Sequence, residues 1–294
     1  ISEIPQRPAR QSTQEILSRL AREMTQDPGD SLTALSDEDI RAMLDEIARG
    51  QGGEATAGET DISGEADSES DIGDALRNVA KRLAQSGQAV GFAELPRKIR
   101  QAFESELVGA TPDTQKALQK IYPKTDYILV SGKRSRYVHG PRNVILLSKY
   151  APPSTLAHEL FHELDQGYKI SRTFIESLMK DYVALNVKSG GDIVGYLRQK
   201  FPEAFVKSGI AGKHYLTKQH RGISDIINGL TDGQVFLGYG HKESYWKKAD
   251  KLEAEAWAQF GRVQFENQAD VLKMFQSLFP NFYKSAMIAL KELI

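Results

Sequence analysis

The sequence predicts an α+β fold, mainly helical, with a small antiparallel sheet ahead of one chemically distinctive helix. Three observations carry this. Helical hydrophobic periodicity recurs through most of the chain beyond residue 75, and only two short β-type runs, residues 127–130 and 144–147, interrupt it. Those runs lie together before residue 150 and do not alternate with helices, as a doubly wound sheet requires. The composition, 40% hydrophobic and 26% charged over 294 residues, is that of a globular chain. No stretch approaches the ~20 apolar residues of a membrane span. There is no cysteine, which excludes disulfides and thiolate metal sites. The start at Ile1, with neither a basic nor an apolar leader, suggests a piece of a longer precursor without a signal peptide.

Taken in order, residues 1–49 hold two short amphipathic patterns. Ser12 opens the first with a capping box to Glu15, and Ser36 opens the second, which stops at Gly50. Residues 50–74 carry eight acids and no Lys or Arg, the composition of a flexible linker. Residues 75–294 read as one domain. The charge divides with it: residues 1–74 sum to −12 and the remainder to +11. The basic clusters at 96–101 and 133–136 have no aromatic interleaving and read as solvated surface, so nucleic acid is not the expected partner. Helices are predicted over 74–87, 94–109 and 111–122, where Thr111-Pro112 is a good entry. The two β runs follow, joined through the turn signal Gly140-Pro141. A helix over 154–167 with Ser154 as N-cap comes next, then helices over 172–187, 191–201 and 223–230. Residues 234–240 look strand-like, and a helix over 251–265 and two last helices ending at Ile294 complete the chain.

The helix after the β runs carries His158-Glu159-Leu160-Phe161-His162, an H-E-x-x-H. Residues four apart stand one above the other on a helix, so both imidazoles can reach one ion. Glu159 lies about 100° round, placed to act on a ligand of that ion without binding it. This is the arrangement for a zinc-activated water beside a general base. Chance produces the pattern in roughly one chain of this length in a hundred. Here it also sits beside an apolar stripe of Leu156, Leu160 and Leu164.

A third ligand must come from His, Asp or Glu. The remaining histidines are His139, His214, His220 and His241, and the elongated motif is absent, since position 165 is Asp and position 168 is Tyr. Asp165 suits a hydrogen bond to a ligating imidazole. Glu253 and Glu255 stand about 200° apart on their helix, so only one can face the ion. Glu255 sits between the small Ala254 and Ala258, which would let two helices approach closely.

HELFHELD followed by EAEAWA resembles the Glu-type zincins, specifically the anthrax lethal factor-like metallopeptidases, and residues 223–248 resemble the metallopeptidase tail of phage minor head (Mu F-like) proteins. The resemblance spans roughly residues 120–290 and leaves out the first 74. It implies a zincin-like domain holding one Zn²⁺ per chain, with Glu255 completing the His158 and His162 site. It also implies a Tyr or His upstream of Glu255 that donates to the oxyanion: Tyr245 first, His241 second, Tyr239 third. Asp225 is expected either to orient one of the histidine ligands or to serve as an acid in the first turn of its helix.

The expected activity is therefore hydrolysis of a peptide bond by a zinc metalloendopeptidase, with Glu159 as general base and a protein or peptide as substrate. The strand before the metal helix, residues 142–148, is the expected edge for an extended substrate. Alternative expectations are a virion minor head or morphogenesis protein with a secondary or degenerate peptidase core, and a released toxin or effector protease acting on a host protein. A repressor-cleaving peptidase is a weaker one. The expected location is the virion or the cytoplasm, with no membrane partner.

Overall fold

The computed structural model describes residues 89–130, 135–138, 144–206 and 214–294. The patterns expected in 1–49, 50–74 and 74–87, the Gly140-Pro141 turn and His139 lie outside them. Of the described residues, 68% are helical. The chain divides into two units, Ile1–Ala89 with Ile128–Tyr150, and Val90–Tyr127 with Ala151–Ile294.

The sheet has strands β1 (Asp126–Val130), β2 (Arg136–Val138) and β3 (Val144–Ser148), in the order β1-β3-β2. It is mixed, which corrects the antiparallel expectation. β2 and β3 are antiparallel, with Tyr137 opposite Ile145, so the β1–β3 pairing is parallel. The inner position of β3 also corrects its reading as a substrate edge, because both flanks are already paired. Its five residues are all buried, as an unbroken VILLS run predicts for a central strand.

The second unit is helical. Helices α1 (Arg97–Gly109) and α2 (Pro112–Ile121) precede the sheet, and Thr111-Pro112 opens α2 as expected. After it come α3 (Pro153–Tyr168), α4 (Ile175–Ser189), α5 (Ile193–Lys200) and α6 (Arg221–Leu230). The one-turn α7 (Glu243–Trp246), then α8 (Lys251–Glu266), α9 (Ala269–Leu278) and α10 (Pro280–Glu292) complete it. Pro152 caps α3; Ser154, the expected cap, lies inside the first turn and accepts a hydrogen bond from Arg221 at 2.9 Å. Residues 234–240 are not a strand. Gly238 and Gly240 take positive φ, and a Cβ at Gly240 would lie 2.4 Å from Asn228 Oδ1. The backbone there is held by side chains of α6.

Helix α8 is the centre of this unit. Every residue from Glu255 to Phe265 is buried. Trp257 stacks on Phe174 and Phe260, and its indole N–H donates to the Phe161 carbonyl at 3.0 Å. At Gly261 a Cβ would stand 2.1 Å from the Phe161 ring, so α3 and α8 meet as closely as backbone allows. Two buried helices in such contact must satisfy every polar group they carry, and their polar faces build the site.

Candidate metal site

His158 and His162 project from one face of α3, as the four-residue spacing dictates. Glu255, one turn into α8, meets them from the opposite side. His158 Nε2 and His162 Nε2 are 3.2 Å apart, and Glu255 Oε2 lies 3.4 and 3.6 Å from them. Ligand atoms at zinc bond lengths on a tetrahedron stand about 3.3–3.6 Å apart. The triangle is therefore of coordination size, and two imidazoles with one carboxylate are a donor set that suits zinc.

In the metal-free site the electrostatics favour the ligand forms of His158 and Glu255 and hold a proton on His162, which an ion would displace. Burial and the nearby Arg262 pull His158 down to about 3, so its imidazole is neutral. Burial also works against protonation of His162, yet the Glu255 carboxylate, with help from Glu159, outweighs it and raises that group. Burial alone would raise Glu255, but the two imidazoles hold it well below the usual carboxylate range. His158 Nδ1 is buried without a partner among the described residues, so no outer hydrogen bond sets its tautomer.

Of the two acids weighed on α8, Glu255 faces the imidazoles, whereas Glu253 lines a separate cavity with Ile175, Met179, Trp246 and Leu252. Glu159 is buried beside the triangle and acts on His162 through its charge. Asp165 does not touch the imidazoles. Its carboxylate accepts from the Ser171 N–H at 2.6 Å and the Ser171 hydroxyl at 2.8 Å, tying the end of α3 to the following turn. The reason is local: a helix-end acid three residues past His162 finds N–H donors without intrahelical partners in the next turn before it finds a ring. His214 and His220 lie elsewhere, bonded to Arg198 and Thr217.

The stretch from Tyr239 to Trp246 folds over the other oxygen of Glu255. The Tyr245 hydroxyl donates to Glu255 Oε1 at 2.5 Å. His241 stacks on the Tyr245 ring at 4.0 Å, with Nε2 3.8 Å from Asp225 Oδ1 and 4.0 Å from Glu255 Oε1. Asp225 is fully buried and faces His241 and Glu255, not either imidazole of the triangle. Burial and the Glu255 charge push its carboxyl up to about 8. Tyr239 is pinned through its backbone, whose N–H donates to Ser224 Oγ at 3.1 Å. Asn228 organises the rest, accepting from the His241 N–H at 2.9 Å and the Trp246 indole at 2.7 Å.

Sequence reasoning overlooked a buried polar seam behind these groups. Gln259 donates to Asp225 Oδ2 at 2.7 Å and accepts from Arg262 at 2.8 Å; Arg262 also reaches the Ser154 carbonyl at 3.3 Å. Arg221 lies 3.7 Å from Glu266. The signal was present. Glu255, Gln259, Arg262 and Glu266 fall on one stripe of α8, and Arg221, Asp225 and Asn228 on one stripe of α6. A polar stripe on a helix that is otherwise apolar marks a polar interface between buried helices.

Comparison of the chain with protein-family models, with curated proteins and with solved structures finds no match.

Proposed function

We propose that the chain is a zinc-dependent metallopeptidase in which His158, His162 and Glu255 hold one Zn²⁺ and Glu159 is the general base. The observation that carries this reading is the triangle of two imidazole nitrogens and one carboxylate oxygen, with edges of 3.2, 3.4 and 3.6 Å. Bound there, zinc supplies Lewis acidity and acidifies a water to a pKa of about 7. Glu159 takes the proton of the attacking water and delivers it to the leaving amine. His241, partly exposed and stacked on Tyr245, donates toward the oxyanion of the tetrahedral intermediate. Peptide as the substrate class, and a setting in a phage head or as a delivered effector, rest on the resemblance of the motif and of residues 223–248.

Elemental analysis of the purified protein tests the metal. One zinc per chain is expected, with loss in His162→Ala and in Glu255→Ala. Wild-type protein that takes up no zinc when it is offered overturns the reading. Incubation with denatured proteins and peptide mixtures, read by mass spectrometry, then tests the chemistry. Cleavage by wild type and none by zinc-loaded Glu159→Gln is the expected result.

A further inference from the structure

The fold uses the two oxygens of Glu255 differently. Oε2 faces both imidazoles at 3.4 and 3.6 Å, whereas Oε1 accepts the Tyr245 hydroxyl at 2.5 Å. We infer that Tyr245 is a positioning residue that keeps Glu255 a one-oxygen ligand; the inference rests on the metal reading above. A carboxylate turns easily about its last torsion, which has a broad profile, and can offer an ion one oxygen or two. A phenol proton on Oε1 fixes the plane of the group and draws charge from the oxygen that a second bond to the ion would use. One coordination position is thereby kept for water and substrate, as a catalytic site requires.

Tyr245 is held for this task from several directions. Its ring stacks on His241 with the planes 16° apart, and the Lys251 ammonium lies 5.3 Å from the ring centre. The next residue, Trp246, anchors α7 to α6 through its 2.7 Å bond to Asn228. The Oε1 side also brings together Asp225 and His241, whose facing atoms could in principle hold a second ion. Their separations of 3.8 and 4.0 Å are wider than those of the first triangle, and Oε1 is already engaged by the phenol. That side is built to hold the carboxylate, not to share it.

Cobalt(II) substitution and chelator competition on Tyr245→Phe test the inference, since phenylalanine retains the stacked ring. Wild type is expected to bind one cobalt per chain with the strong visible absorption of a four-coordinate ion. Tyr245→Phe is expected to release the metal to chelator with about 10–100-fold lower affinity. Its visible band should weaken as the freed Oε1 raises the coordination number. An unchanged affinity and spectrum overturn the positioning role. Wild type that binds no cobalt instead overturns the metal reading beneath it. Thermal unfolding of the metal-free proteins completes the test: matched midpoints assign the loss to the site, and a collapsed midpoint for Tyr245→Phe assigns the phenol to folding and overturns the proposal.

Discussion

On the Oε2 side of Glu255, two imidazoles stand four residues apart on a single helix, and the three donors close to 3.2–3.6 Å. On the Oε1 side, Tyr245 comes from a one-turn helix, His241 from the loop before it and Asp225 from α6, and the spacing opens to 3.8–4.0 Å beyond the one hydrogen bond. The difference lies in how each set is held. The first depends on one helical repeat and one helix-to-helix contact, both stiff. The second depends on a loop whose path is set by Asn228 and Ser224. A triangle of coordination size forms where geometry is fixed by secondary structure.

The largest effects should separate these roles. Glu159→Gln leaves all five groups around Glu255 in place, so zinc content should be unchanged while hydrolysis falls by about 10²–10⁴. Loss of zinc in that variant would make Glu159 part of the binding set. His241→Phe should lower kcat by about 10²–10³ with metal affinity nearly unchanged, because phenylalanine keeps a ring stacked on Tyr245 and removes only the donor. An equal fall in zinc retention would merge the two sides into one.

Smaller effects test the frame. Gly261→Ala places a methyl group against the Phe161 ring and should cost about 1–3 kcal/mol, read by denaturant unfolding of the metal-free protein. It should also weaken zinc retention, since it forces α8 away from α3; a variant that loses stability but not affinity would show that the triangle tolerates movement of α8.

The last prediction concerns pH in the metal-free protein. His158 titrates at about 3 when folded against an ordinary 6.5, so the unfolded chain binds the extra proton between those values and acid destabilises the fold there. Asp225 is raised from 3.8 to about 8, so the folded chain keeps a proton that the unfolded one has released, and stability falls as pH rises through that interval. His162, also raised, adds a loss of the same sign above its ordinary 6.5. Between pH 6.5 and 8, Asp225→Asn should therefore reduce the fall in stability by about 1–2 kcal/mol. A slope unchanged by the substitution would assign the whole of it to His162.

Much of this was legible before any coordinates. Helices α1 to α6 and α8 to α10 appear where the periodicity predicts them, with ends displaced by a few residues. Period 3.6 is a local property, and each helix expresses it alone. The expected strand at 234–240 failed because its alternation is formed by residues held individually by side chains of α6, a long-range fact that no local pattern carries. Asp165 failed for a local reason instead. Spacing placed it correctly on its helix, but its partner Ser171 lies past a chain reversal where Lys169 takes positive φ.

By itself the sequence determined that two imidazoles and a carboxylic acid share a helix at 158, 159 and 162, because helical repeat needs no partner to set it. It also determined that only one of Glu253 and Glu255 could join them. Tertiary structure decided which one, because the rotation of α8 about its axis is set by burying Trp257 and Phe260 on one side and seating Gly261 against Phe161 on another. It likewise decided that the Tyr245 hydroxyl meets Glu255 and that Asp225 faces His241. Those contacts cross between helices and a loop, and they exist only once apolar burial has fixed how the elements lie together.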